Sequence, residues 1–165
     1  MGIAEPGVGS FMPYANDDVE SEVNNIAWTA DLETGIDVLD EQHHRYVDLL
    51  NDYIEKVIEY TKSAEKEAAH LSESLNFLRQ YAEEHFATED SIMKDADFPD
   101  FDIHQEEHSH FLKHVGDLCT ELETKGFSPR LSREVNYYTI EWFIKHILVL
   151  DMQLVEFLKA KNWKG

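Results

Sequence analysis

Apolar residues recur along the chain in the three-then-four rhythm that keeps side chains on one side of an α-helix, and they do so in four separate stretches. The first stretch gives Leu39, Tyr46, Leu50, Tyr53 and Val57, and the second gives Leu71, Leu75, Leu78, Ala82 and Ile92. The third gives Phe111, Val115, Leu118 and Leu122, and the fourth Val135, Tyr138, Trp142 and Val149. On the same stripes stand polar residues: His43 in the first, His85 and Glu89 in the second, His104 and His108 opening the third, and His146 in the fourth, with Asp151 off the stripe beyond it. An unpartnered polar group buried in such a seam costs about 1 to 3 kcal/mol. Seven of them would cost on the order of 7 to 21 kcal/mol, as much as the roughly 5 to 15 kcal/mol that holds a whole domain together. Something must satisfy them, and metal coordination does so most directly.

Punctuation residues bound the four stretches. The first helix is expected from about Val38 to Tyr60, with a break at Thr61 to Ser63, and the second from about Ala64 to Lys94, stopping before Asp97, Phe98 and Pro99. Asp102 with Gln105 resembles a capping box for the third, which ends at Gly126. Ser128 as N-cap and Pro129 in the first turn start the fourth, which runs to about Ala160. Connections this short allow only antiparallel returns. The predicted fold is an all-α, up-down-up-down antiparallel four-helix bundle over residues 26–165. Ile26 to Ile36 reads as an irregular lead-in anchored by Trp28, and residues 1–25, rich in Gly, Pro, Asn and acidic residues, as a flexible or loosely docked extension. At about 1.5 Å of rise per residue, counting back from each turn brings the polar residues of all four helices to one layer.

Composition narrows the class. A chain of 165 residues holds one domain comfortably. Its 34 acidic against 14 basic residues give a formal charge of -20, which repels nucleic acid and anionic lipid alike. The single cysteine, Cys119, cannot form an internal disulfide and reads as a small buried thiol beside the third seam. With no signal-peptide pattern and no apolar run long enough to span a bilayer, the chain reads as soluble and cytoplasmic.

Spacing sharpens the chemistry. His85 with Glu89, and His104 with His108, are four apart and point at one small volume. His146 and Asp151 are five apart, which turns the carboxylate about 140° from the imidazole in an ideal α-helix. Asp151 must therefore reach across from the helix flank, or a local π-type widening must realign it. Five imidazoles and two carboxylates are too many ligands for one transition metal and natural for two. Imidazole with carboxylate suits iron, with zinc or manganese as competitors. His44 and the pair His110 with His114 lie off the seams and read as surface decoys, as does His70. Trp28, Trp142, Phe86 and Met93 read as packing residues, some of them walls that keep water out.

The stretches AWTADLETGIDVLDEQHHRY, HFATEDSIM, HQEEHSHFLKH and WFIKHILVLD, in this order, resemble those of the hemerythrin family, above all its single-domain bacterial members. The same bundle topology characterises a hemerythrin relative, so the architecture is partly a consequence of the resemblance. The resemblance implies that His104, His108 and His146 hold one Fe ion and His43 and His85 the other. Glu89 and Asp151 would bridge them together with an oxo or hydroxo group. Dioxygen would bind reversibly at the iron held by His43 and His85, for oxygen storage, delivery or sensing. The alternatives are a di-iron enzyme (peroxidase, oxidase or nitric oxide scavenger) and an iron or redox sensor. Glu-x-x-His pairs of the ferritin-like oxygenases occur only off the seams, as Glu41 with His44, Glu67 with His70 and Glu107 with His110, which does not support an enzyme site. Dioxygen is thus the expected ligand, neither nucleic acid nor membrane is an expected partner, and the extension is the place for any protein partner. The chain departs from the family pattern in Asp90, which follows Glu89 where relatives often repeat a glutamate, and in its extended outer helices and amino terminus.

Overall fold

A computed structural model describes residues 26–60 and 64–164 of the chain. The amino-terminal extension and the Thr61 to Ser63 break lie outside the described residues, as does the side chain of Val57. Four long helical stretches build an all-α fold: α1 (Asp37–Tyr60), α2 (Ala64–Asp95), α3 (Phe101–Lys125) and α4, residues 129–161. α1 packs on α2, α2 on α3, and α4 closes the bundle against α2 and α3.

Ahead of α1, the lead-in from Ile26 is fastened rather than loose. The Asn51 side chain accepts from the Ile26 N–H at 2.7 Å and donates to its carbonyl at 3.0 Å. Trp28 stacks on His44 at 3.6 Å between ring centroids, and a 3₁₀ turn (Ala30–Leu32) buries Leu32. Asp40 then accepts from the Thr34 and Gly35 amides and from the Thr34 hydroxyl, which fixes the start of α1.

The helix ends follow the punctuation with one exception. Gly126 takes a φ of 76°, a left-handed conformation that costs other residues a Cβ clash, and closes α3 with a bond to the Leu122 carbonyl. Ser128 Oγ accepts from the Leu131 amide at 3.1 Å, with Pro129 in the first turn. The expected Asp102–Gln105 capping box does not form. α3 starts two residues earlier, with Asp100 at the N-cap and no side-chain cap, and Gln105 is used elsewhere: its Nε2 donates to Asp90 Oδ2 on α2 at 3.1 Å.

α4 is not a uniform α-helix. α-Helical segments Pro129–Asn136, Phe143–His146 and Met152–Lys161 alternate with two π-helical turns, Tyr137–Trp142 and Ile147–Asp151. Bonding from i to i+5 widens the turn, so residues four or five apart stay in line. The buried face therefore reads Leu131, Val135, Thr139, Phe143, Ile147 and Asp151, every fourth residue, instead of the expected heptad. Tyr138 and Trp142 end half-buried, and Val149, placed in the core by the heptad, is 52% exposed. The Tyr46 hydroxyl donates to the Thr139 carbonyl inside the first wide turn.

Two apolar clusters result. The larger contains Tyr46, Leu50, Leu75, Leu78, Phe86, Phe111, Val115 and Phe143. The smaller, toward the other end, contains Leu39, Ile92, Met93, Ala96, Phe98, Leu154 and Leu158. Phe143 is fully buried and meets Tyr46 at 4.0 Å, with Tyr81, Phe86 and Phe111 around it. Phe143→Ala should therefore destabilise the fold by about 3 to 5 kcal/mol, read as a fall in urea midpoint at unchanged slope.

Candidate metal centre

The layer where the two apolar clusters give way to polar groups receives side chains from all four helices. α1 supplies His43, α2 His85 and Glu89, α3 His104 and His108, and α4 His146 and Asp151. Each of these seven is at most 3% exposed. They form two groups of facing donor atoms, Glu89 with His104, His108 and His146, and Asp151 with His43 and His85, each group within 4.8 Å.

Asp151 belongs to both. Its Oδ2 lies 3.4 Å from His43 Nε2 and 3.6 Å from His85 Nε2, while its Oδ1 lies 3.2 Å from His146 Nε2 and 3.6 Å from His104 Nε2. The π-helical turn Ile147–Asp151 is what brings it there, so the widened-turn alternative is the one the fold adopts. Glu89 Oε2 faces both groups as well, at 3.1 Å from His108, 3.5 Å from His104, 3.8 Å from His146 and 3.7 Å from His85. His108 and His146 turn their Nε2 atoms toward each other at 3.1 Å.

The donor set fits metal. Both oxygens of Glu89 and of Asp151, and the Nε2 atoms of His43, His85 and His104, are buried with no hydrogen-bond partner among the described residues. Separations of about 3 to 4 Å are those of atoms gathered around ions about 2 Å from each, and imidazole with carboxylate is a transition-metal donor set. Aromatic faces close the layer: Phe86 lies parallel on His108 at 3.8 Å, Trp142 stacks on His146 at 4.8 Å, and Tyr81 stacks on His85 at 5.7 Å.

Charge is balanced without metal in a definite way. Burial lowers the pKa of His146 and His104, but Asp151 and Glu89 override it and raise them to about 10 and about 9. Burial pushes both carboxylates up, yet the surrounding histidines hold them well below the usual range. His108, for which burial dominates, is lowered. A raised histidine stabilises fully below its unfolded value near 6.5, and that contribution is lost as pH climbs through the folded value. The lowered carboxylates contribute above about 4 and lose their effect only in acid. The metal-free protein should accordingly show a melting temperature that falls steadily from about pH 6.5 toward 10. The metal-loaded protein, whose imidazoles are already deprotonated by coordination, should show little of that fall.

The rival histidines go elsewhere. His44 is exposed under Trp28, and His110 is exposed with Glu106 at 3.9 Å. His114 stacks on Tyr138 at 4.1 Å. His70, expected at the surface, is instead 6% exposed and stacked on Tyr53 at 4.9 Å, far along the bundle from the cluster. The buried stripe of α2 is wide enough to take in His70, Ser74 and Tyr81 beside the expected seam, as a helix with neighbours on two sides requires. Of the Glu-x-x-His pairs, Glu41, His44, Glu107 and His110 are exposed, and the Glu67 side chain lies outside the described residues. Cys119 is half-buried, and burial raises its thiol pKa.

Sequence reasoning missed the residues behind the histidines of the cluster. Gln42 Oε1 lies 3.0 Å from His85 Nδ1, and Asp90 Oδ1 lies 3.4 Å from His108 Nδ1. Both are polar residues directly flanking a member of the cluster in sequence, which is the signal that marks them.

An all-α four-helix bundle with a buried, two-part histidine and carboxylate cluster at one level is, by class, a bundle metalloprotein. The family profile described as the hemerythrin HHE cation binding domain matches residues 34–158. The chain belongs to the hemerythrin family. It is 27% identical over 135 residues to a bacteriohemerythrin of Stenotrophomonas maltophilia, 82% of each chain being covered. It is 28% identical over 139 residues to one of Ralstonia nicotianae, covering 83% of this chain and 91% of that one. A bacteriohemerythrin of Pseudomonas aeruginosa is 28% identical over 123 residues, 74% of each. Among the described residues no helix is long and apolar enough to cross a membrane.

Proposed function

We propose that the chain binds dioxygen reversibly at a non-haem di-iron centre, for storage, delivery or sensing of oxygen. His104, His108 and His146 hold one iron and His43 and His85 the other. Glu89 and Asp151, whose oxygens face both histidine groups, would complete the protein ligand set for the iron pair and its oxo or hydroxo group. The observation that carries this reading is the division of the Asp151 carboxylate, Oδ2 toward the two-histidine group and Oδ1 toward the three-histidine group. One side thereby has an imidazole fewer than the other, and that is the side left for a gas ligand.

Iron there supplies reversible electron donation to dioxygen. The chain's own contribution is to hold the donors and keep water away. His43, His85, Glu89 and Asp151 are all 0% exposed, and Phe86, Phe143 and Tyr81 surround the imidazoles with apolar surface. A dry, low-dielectric site prevents the hydrolytic and proton-driven side reactions that would make binding irreversible. Iron-loaded protein cycled between argon and air should lose and regain its charge-transfer absorption. Progressive failure to recover over the first cycles would refute reversible binding and favour turnover.

A further inference from the structure

We propose that Gln42 is a positioning residue that locks His85 in a single tautomer, and that the two metal positions are made unequal by what stands behind their histidines. A neutral amide backs His85, and a carboxylate backs His108. The first half of this proposal stands on the protein alone, and the second rests on the di-iron reading above.

The lock follows from a chain of hydrogen bonds in which each member leaves the next one choice. Thr88 Oγ1 donates to the Glu84 carbonyl at 3.0 Å, and a carbonyl can only accept. The Thr88 oxygen therefore has only lone pairs for Gln42, whose Nε2 donates to it at 3.0 Å. With the amide nitrogen so engaged, Gln42 Oε1 must be the atom 3.0 Å from His85 Nδ1. An amide oxygen only accepts, so Nδ1 carries the ring proton. Nε2 is left bare, and it is Nε2 that looks into the cluster, 3.6 Å from Asp151 Oδ2 and 3.7 Å from Glu89 Oε2. The Gln42 backbone is pinned in turn by Tyr81, whose hydroxyl donates to its carbonyl at 2.7 Å. Gln42 is 8% exposed, so its amide is largely shielded from bulk water.

The three-histidine group has a different backing. Asp90 Oδ2 accepts from Gln105 Nε2 at 3.1 Å, and its Oδ1 stands 3.4 Å from His108 Nδ1, an ion-pair contact without a hydrogen bond. A carboxylate behind a coordinating imidazole raises its basicity and tightens the metal bond more than a neutral acceptor does. The His43–His85 position is therefore short of one imidazole and also receives the weaker push. It is the position that releases its ion first and that favours the lower oxidation state.

Two measurements test this. In metal-free protein under alkaline conditions, long-range proton–nitrogen correlation of the histidine rings should show His85 as the Nδ1–H tautomer alone. Thr88→Val, at a half-exposed site where a same-sized side chain fits, frees the amide to rotate and should give a mixture. Gln42→Leu should lose the preference and Gln42→Glu should restore it. A wild-type ring protonated on Nε2, or a Thr88→Val spectrum identical to wild type, overturns the lock.

Anaerobic titration with Fe(II) against a competing chelator should show two steps in the wild type. Gln42→Leu should weaken the weaker step alone by about 10- to 100-fold, and Asp90→Asn the stronger step by a similar factor. Gln42→Glu should draw the two steps together. Equal loss on both steps in either variant, or a single wild-type step, overturns the inequality. Absence of iron uptake with the His85 tautomer as expected would remove the di-iron reading and the inequality together, and leave the lock standing.

Discussion

Chelation of the metal from loaded protein should lower its unfolding free energy by several kcal/mol and move its denaturant midpoint further than any single core truncation. An ion bound only by the folded state stabilises by about 4 kcal/mol when it is present at a thousandfold excess over its dissociation constant, and two such ions contribute about twice that. The folded chain gathers seven buried donors into one layer. Without metal, the carboxylate oxygens and three of the Nε2 atoms find no hydrogen-bond partner among the described residues, and ion pairing among them offsets only part of the cost of burying them between the apolar clusters. Paired urea titrations of loaded and metal-free protein measure the difference directly. A midpoint unchanged by chelation would mean that the cluster satisfies itself through its own ion pairs.

Asp151→Ala should reduce the metal content from two ions per chain to one or fewer and abolish the charge-transfer band. Asp151 turns a separate oxygen to each of the two histidine groups, with 3.4 Å to His43 on one side and 3.2 Å to His146 on the other. The variant also removes the largest Coulombic support of His146, whose pKa is held at about 10 by that carboxylate against burial. Breaking a buried pair on one side costs about 3 to 5 kcal/mol, so the metal-free variant should be less stable as well. Asp151→Asn separates the two effects by keeping the volume and one oxygen while losing the charge. Elemental analysis together with the absorption spectrum decides the matter, and full loading of Asp151→Ala with an intact band would mean that Glu89 bridges alone.

Helical periodicity alone carries six of the seven cluster residues, because a histidine or glutamate on an apolar stripe violates the rule that forms the stripe. Punctuation residues place the end of α3 and the start of α4, since Gly126, Ser128 and Pro129 have specific backbone reasons to be where they are. Asp151 is where periodicity fails. Five-residue spacing from His146 is wrong for an α-helix, and only the wide turn Ile147–Asp151 makes it right. Nothing in the residues ILVL distinguishes a π-helical from an α-helical turn, so the same feature that explains Asp151 also explains why Val149 was misplaced. His70 was misread because the width of the buried stripe on α2 depends on how many neighbours that helix has, a property of the bundle and not of the helix. The failed capping box at Asp102 has a similar origin: the Gln105 amide is claimed across the helix pair by Asp90. Gln42 leaves no stripe of its own, because it acts through a neighbour, and only its place beside His43 in the sequence marks it.

The wide turn beside the cluster has a consequence for anyone editing the gene. Leu148 and Val149 face outward, at 37% and 52% exposure, and look like the safest residues in α4 to remove. Losing either would restore four-residue spacing between His146 and the carboxylate and let the wide turn relax to an ordinary α-helical one, because that turn is what accommodates the extra residue. Leu154, Val155 and Leu158, which seal the far end, would keep their inward direction. A one-residue deletion here would draw the far end of α4 in by about 1.5 Å of rise while leaving both of its faces in place, whereas the same deletion in a regular α-helical stretch would turn the far end by about 100°.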